Sequence, residues 1–215
     1  MFKLYTYWRS SASYRVRIAL HLKGLPFESV PVHLLRDGGE QHSATYAALN
    51  PSELVPTLVD GAEALTQSLA IIEYLEEAYP SPALLPSGSL ARARVRALSQ
   101  FIACEMHPLN NLRVLQYLER TLGLDEATKT AWYRHWVTTG FATLETMLAN
   151  NPATGRFCHG DTPTMADCLL IPQISNARRF AAPLDAFPTV RRIETECMQV
   201  QAFLDARPEV QVDAA

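Results

Sequence analysis

The period of apolar positions changes along the chain, and each change marks a different element. "KLYTY" (Lys3 to Tyr7) has the length and composition of a strand, and "FESVPVHL" (Phe27 to Leu34) alternates as a strand does. Between them, "SYRVRIALHLKG" takes a helical spacing. Val16, Ala19 and Leu20 share one face, Ile18 and Leu22 widen it, and Gly24 is the expected stop. Strand, helix and strand in about 30 residues form a βαβ unit. "TLVDGAEAL" reads as a hairpin, with Thr57 to Val59 as its first strand, a turn at Asp60-Gly61 and a return strand ending near Leu65. "SLAIIEYLEEAY" follows as a helix with Ser68 near its cap.

After "YPSPALLPSG", with three prolines and a glycine, every pattern is helical. One helical run covers about Leu90 to Leu122, interrupted or bent near Pro108. A second covers about Glu126 to Ala149. A third begins at "TPTMADCLLIPQISNARRF", where Thr164 and Asp167 have the spacing of a capping box, with Asp in place of Glu or Gln. The expected organisation is an α/β domain over residues 1–80, a linker over 81–89 and an all-α helical domain over 90–215.

Composition narrows the function classes. A charged fraction of 19% with a net charge of -3 argues against a general nucleic-acid binder. No apolar run approaches the roughly 18 residues of a transmembrane helix, and "MFKLYTYWRSS" lacks the apolar core of a signal peptide. Cys104, Cys158, Cys168 and Cys197 lie far apart with no C-x-x-C pair, against a zinc site or a dithiol motif. A cytoplasmic chain with reduced, mostly buried cysteines, no metal and no membrane or nucleic-acid partner is expected.

Three short stretches could carry chemistry. Val55-Pro56 precedes a strand, where a proline belongs because it cannot donate a ladder hydrogen bond. If that bond is cis, the Val55 backbone turns outward and can pair with an extended ligand; an ordinary trans proline is the plainer alternative. Gln67-Ser68 opens a helix, whose free N–H groups and dipole can hold a carboxylate, or where Ser68 is a simple cap. Ser10 and Ser11 begin the first helix directly after a strand, a place to hold an anion such as a thiolate, or again only a cap. No G-x-S-x-G elbow is present, so a serine triad is not expected. Tyr7 reads as core, Asp167 as a structural cap, and Arg178 as solvent or dimer surface.

The order of these stretches is more specific than any one of them. Taken with "WRSSASYRVRIALHLKG", "ALNPSELVPTLVDG", "QSLAIIEYLEE", "HPLNNLRVLQYL", "GDTPTMADCLLIPQISNARRF" and "FPTV", the chain resembles over essentially its full length the zeta class of the glutathione transferase family, the maleylacetoacetate and maleylpyruvate isomerases. The resemblance implies a thioredoxin-like N-terminal domain, an all-helical C-terminal domain and a homodimer. It implies glutathione as cofactor, held by Ser10, Ser11, Ala12, Gln41, Val55, Pro56, Gln67 and Ser68. Ser10 would contact the sulfur, Gln41 would lie near the glycine end, the Val55 backbone would pair with the cysteinyl part, and Gln67-Ser68 would take the γ-glutamyl carboxylate. His107, Asn111 and Arg113 match positions that line the site. Arg9, Arg113 and Arg179 are the candidate cations for a dicarboxylate substrate, because a guanidinium matches a carboxylate bidentately and stays charged.

The implied reaction is cis–trans isomerisation of maleylacetoacetate to fumarylacetoacetate, or of maleylpyruvate, in aromatic compound catabolism. It proceeds by thiolate addition, rotation about the resulting single bond, and elimination. The alternative is a general glutathione transferase acting on small electrophiles such as α-halo acids. One position departs from the class: Ala12 stands where the class most often has cysteine. Ser10 is then the expected catalytic contact, with Arg9 and Arg179, and Ala12 the position that tunes substrate fit.

Overall fold

Alternation within the first strand, β1 (Phe2–Thr6), buries Phe2, Leu4 and Thr6 and leaves Lys3 exposed. The structure is a computed structural model in which residues 1–214 are described. β1 is joined by β2 (Phe27–Pro31), β3 (Thr57–Asp60) and β4 (Glu63–Thr66) in a sheet of order β2-β1-β3-β4. β2 is parallel to β1, as the βαβ reading requires, while β3 and β4 are antiparallel neighbours. Register sets Tyr5 opposite Thr57 and Thr57 opposite Thr66. The exit of β1, the entry of β3 and the exit of β4 therefore share one end of the sheet.

α1 (Ser11–Leu22) connects the parallel strands. Its Val16, Ile18, Ala19 and Leu20 are fully buried, as are Leu4 and Leu58 of the sheet and Ile71, Ile72 and Leu75 of a later helix. Each large aliphatic side chain so buried contributes roughly 1.5–3 kcal/mol. α1 stops where expected: Gly24 takes φ +63°, a left-handed value that favours glycine, and Leu25 N–H returns to Leu20 C=O at 2.9 Å. The short α2 (Ala44–Leu49) is capped by Ser43, whose side chain accepts Tyr46 N–H at 3.3 Å. α3 (Ser68–Ala78) follows β4.

The second set of helices is all-α. α4 (Ser89–Gln100) runs into a π-helical segment (Phe101–Met106), then a 3-10 turn (Pro108–Asn110), and α5 (Leu112–Arg120) resumes the run, so the interruption expected near Pro108 spans about ten residues in these elements. α6 (Glu126–Ala149), α7 (Met165–Arg179) and α8 (Pro188–Cys197) complete it. Asp167 is fully buried and acts as the structural cap of α7: Thr164 N–H and Oγ–H both donate to its Oδ2 at 2.8 Å, and Cys158 N–H donates to Oδ1 at 2.8 Å. Cys158, Cys168 and Cys197 are buried and Cys104 is exposed. Among the described residues, no helix is long and apolar enough to cross a membrane.

The chain forms two compact units, one of residues 1–84 with the segment from Val200 onward, the other Leu85–Gln199. The sequence reading groups that last segment with the helical domain. It returns to the first unit through α9 (Gln201–Asp205), where Phe203 is fully buried and Tyr14 Oη–H of α1 reaches Phe203 C=O at 3.5 Å. Arg17, also fully buried, donates through Nε to Ala206 C=O at 3.1 Å.

A buried ion pair closes the other end of α1. Lys23 Nζ donates to Glu76 Oε2 at 2.8 Å, to Tyr79 C=O at 2.7 Å and to Pro82 C=O at 2.9 Å. Glu76 Oε2 also accepts Leu84 N–H at 2.8 Å. Lys23→Met would strand the Glu76 carboxylate away from water, so chemical denaturation should show a loss of about 3–5 kcal/mol from the first unit. A loss below about 1 kcal/mol would place the pair among ordinary surface ion pairs.

Candidate active site

Three turns of the first unit lie at the sheet end defined by Tyr5, Thr57 and Thr66. The first follows β1. Ser10 is the N-cap of α1, one residue ahead of the first turn where the sequence reading puts it, with φ -71° and ψ 114°. Its Oγ accepts Ser13 N–H at 3.2 Å. The capping alternative is therefore real, but it uses only a lone pair: the hydroxyl proton remains available to a second acceptor. Ser11 is buried and Ala12 half-buried on the first helical turn. Arg9 is exposed, with its guanidinium carbon 4.2 Å from the centroid of the Trp8 ring.

The second turn leads into β3. The Val55-Pro56 peptide is cis, and both residues are buried. A polar network that sequence reasoning missed holds this loop. Asn50 Nδ2 donates to Leu54 C=O at 2.7 Å and to Thr57 Oγ1 at 3.1 Å. Tyr46 Oη–H donates to Leu54 C=O at 2.7 Å, and Asn50 Oδ1 accepts from Ser52 N–H at 3.1 Å and Oγ–H at 2.7 Å. The side of this loop away from water packs Tyr7, Val32, Tyr46 and Val55 together, so Tyr7 is core, as expected.

The third turn follows β4. Gln67, not Ser68, is the N-cap of α3, and it makes no side-chain cap bond. Its φ of +68° lies in the left-handed region, which costs a non-glycine residue of order 1–3 kcal/mol and persists where surroundings enforce it. Ser68 is buried at the first helical position, and its Oγ accepts from Arg15 Nη1 at 3.2 Å. Neither residue's side chain caps the α3 N–H groups, which favours the carboxylate reading of this turn over the capping one.

Gln41 sits in a 3-10 turn (Glu40–His42) of the β2–β3 connection and is 6% exposed. Its Oε1 is buried with no hydrogen-bond partner, while Nε2 meets His42 Nε2 at 3.0 Å. The turn depends on Gly39, at φ +113°, where a Cβ would come within 2.5 Å of the Gln41 side chain.

In the second unit, the π-helical segment and the 3-10 turn bring two of the expected residues together. Asn111 Nδ2 lies 3.4 Å from His107 Nε2, and Asn111 Oδ1 caps α5 by accepting Arg113 N–H at 3.1 Å. The Arg113 side chain is exposed in that first turn. Arg179 is exposed at the last residue of α7, 4.9 Å from the Phe180 ring centroid, and hydrogen-bonds Tyr133 of α6. Tyr133 and Phe180 stack at 3.6 Å, and Asn110 Nδ2 reaches Tyr133 C=O at 3.5 Å. Tyr133 thus anchors both groups, a role no local pattern in the sequence announces. Arg178 instead pairs with Glu194, its Nε 2.9 Å from Oε1, in an exposed contact.

The sheet order, the three turns and the helical second unit define a protein of the glutathione transferase class. A family model described as the N-terminal domain of glutathione S-transferase matches residues 4–83. The chain is 50% identical over 214 residues to a maleylpyruvate isomerase of a Ralstonia species, covering 99% of this chain and 100% of that one. It is 50% identical over 212 residues to a maleylacetoacetate isomerase of Pseudomonas aeruginosa, covering 98% of each. Among solved structures, a bacterial zeta-class maleylpyruvate isomerase matches with a TM-score of 0.96 at 49% identity, covering 99% of this chain and 100% of that one. A maleylacetoacetate isomerase of Methylobacterium extorquens with bound malonate and glutathione matches at 0.95 and 44%, covering 99% of each. The chain belongs to the zeta-class glutathione transferase family of maleylacetoacetate and maleylpyruvate isomerases.

Burial pushes the Tyr133 hydroxyl up to about 12, partly offset by Arg179. Between pH 10 and about 12 the unfolded chain loses this proton and the folded one keeps it, so stability falls as pH rises, by at most about 1.4 kcal/mol per pH unit from this group. Tyr133→Phe should remove that component of the slope. Unfolding free energies of the two proteins that run parallel from pH 9 to 12 would refute it.

Proposed function

We propose that this chain is a glutathione-dependent cis–trans isomerase of a maleyl-type diketo acid, maleylacetoacetate or maleylpyruvate. The observation that carries the reading is the register row Tyr5–Thr57–Thr66, which puts Ser10, Val55-Pro56 and Gln67-Ser68 at one sheet end. A γ-glutamyl tripeptide has the three features these turns suit: a carboxylate for the opening of α3, an extended backbone for Val55, and a thiol for Ser10. The buried, unpartnered Gln41 Oε1 supports the fit, since it is an acceptor awaiting a donor such as an amide N–H.

Glutathione, when bound, supplies the thiolate that adds to the cis double bond and leaves once the bond has rotated. The chain's task is to keep that sulfur ionised and to receive negative charge. A thiol near pKa ~8.5 is only a few per cent ionised at pH 7. The free Ser10 proton donating to a charged acceptor contributes roughly 1.5–3 kcal/mol, and the α1 N-terminus roughly 0.3–1. At about 1.4 kcal/mol per unit, the two together lower the thiol pKa by about one to three units. Arg9, carried on the Trp8 ring, is assigned to the substrate's carboxylate and the charge that develops beside it. Arg179 and Arg113 are assigned to carboxylate recognition, with Asn111 and His107 as polar neighbours of Arg113 in the chain. The same reading includes a homodimer acting in the cytoplasm.

The test measures isomerisation of both substrates with and without glutathione, together with a thiolate absorbance titration of the bound cofactor. Turnover should require glutathione. Ser10→Ala should raise the bound thiol's pKa by about one unit and cut turnover roughly tenfold or more, whereas Ala12→Cys should alter turnover far less. Isomerisation without glutathione would reject the mechanism, and comparable losses from the two substitutions would reject the assignment of Ser10.

A further inference from the structure

The backbone of the Arg9-Ser10 turn is tied to the segment that returns to the first unit. Trp8 N–H donates to Asp213 Oδ2 at 2.9 Å. Trp8 C=O accepts from Arg17 Nη2 at 3.1 Å, and Arg17 Nε in turn donates to Ala206 C=O at 3.1 Å. Both peptide groups of Trp8 are thus fixed, and both attachments lead to residues 206–213. Trp8 is also the residue whose ring carries Arg9, and Ser10 N–H closes the turn on Tyr7 C=O at 2.9 Å.

Packing does not account for the placement of Asp213. Its neighbours Val210 and Val212 are 52% and 81% exposed. The segment is instead folded on itself through Gln211 Nε2, which donates to Asp205 C=O at 3.0 Å and Arg207 C=O at 2.8 Å. Asp213 Oδ1 is buried with no hydrogen-bond partner, so the bond to Trp8 N–H is the one this carboxylate is placed to make. Its charge also acts on the buried Arg17 guanidinium.

We propose that Asp213 is a positioning residue for the Arg9-Ser10 turn, acting through the Trp8 backbone. This rests on the assignment of Ser10 and Arg9 to the sulfur and the substrate. Asp213 is more than 200 residues from the turn in sequence and reaches the reacting groups only through Trp8. Its loss would let Trp8 shift and carry Ser10 and Arg9 with it, while Gln67-Ser68, on a separate turn, would keep its grip on the cofactor's carboxylate.

Asp213→Ala, Asp213→Asn and Val212→Ala are compared in the full chain. Asp213→Ala should speed amide hydrogen exchange at Trp8 roughly tenfold in the free protein, about 1.4 kcal/mol of lost protection. It should lower kcat and raise the KM for the dicarboxylate by a larger factor than it weakens glutathione binding, which Gln67-Ser68 still supports. Asp213→Asn, whose amide oxygen can accept the same N–H, should restore most of both, and Val212→Ala should match the wild type. Unchanged Trp8 exchange in Asp213→Ala overturns the proposal, as does faster exchange with wild-type kcat and KM. Equal defects in the Asn and Ala variants also overturn it, because the acceptor would then not be what matters. Ser10→Ala separates the underlying reading: wild-type turnover in that variant refutes the sulfur assignment, while the Trp8 exchange result is independent of it.

Discussion

A guanidinium sealed from water is the constraint around which the first unit closes. Arg17 is fully buried, and its hydrogen-bond partners are all neutral: Thr6 Oγ1 at 3.0 Å, Tyr7 C=O at 3.5 Å, Trp8 C=O at 3.1 Å and Ala206 C=O at 3.1 Å. Burial pulls its pKa down to about 10, so it remains charged at neutral pH. A buried cation costs several kcal/mol unless its donors are satisfied. Those donors are satisfied only when the end of β1, the turn before Ser10 and the residue after α9 are all in place. Two stretches distant in sequence, Thr6 to Trp8 and Ala206, are therefore held together by one side chain, and the start of the turn assigned to chemistry belongs to the first.

The sheet adds the second constraint. Antiparallel pairing of β3 with both β1 and β4 means that a chain leaving β1, entering β3 and leaving β4 passes the same edge three times. Each passage then needs its own device to hold a non-repetitive backbone. The first uses Arg17, the second uses Asn50 and Tyr46 around the cis peptide, and the third tolerates Gln67 at positive φ. The first two devices are side-chain hydrogen bonds to backbone, and all three lie at turns proposed to meet a ligand's backbone or charge. This division of labour leaves Ser10, Ser68 and the Gln41 amide oxygen with unspent hydrogen-bonding capacity at a rigid edge.

Much of this was legible in the sequence, and the remainder has a common cause. The βαβ unit, the hairpin and the helical second half follow from apolar spacing, because burial against one partner surface imposes a period of 2 or 3.6. The α7 cap was legible because Thr164 and Asp167 interact within three residues. Asn50, Tyr46 and Asp213 were not, since a single polar side chain that bonds distant backbone has no period and no local partner. Ser68 was placed near a cap on residue type alone, and the positive φ of Gln67 moved the cap back by one. Val55-Pro56 shows the limit from the other side: local chemistry left cis and trans open with trans the plainer form, and the structure has the cis form.

The same reasoning extends to the second unit, where the irregular backbone between α4 and α5 has a physical purpose. In the π-helical segment His107 N–H bonds to Ile102 C=O at 3.0 Å, one residue farther back than in an α-helix. That extra residue rotates His107 out of the register set by α4. Pro108 then lacks the N–H needed to continue, and the chain turns through Asn110 before Asn111 caps α5. A regular helix would carry residues 107 and 111 one above the other with their backbone polar groups consumed. Here Asn111 is released from the helix as its cap while its amide still reaches His107 at 3.4 Å. The opposing α6 packs closely against the end of this segment, where a Cβ on Gly140 would come within 2.4 Å of the Met106 side chain. The polar pair is thus a product of the irregular backbone from the π segment through Pro108, rather than of sequence proximity alone.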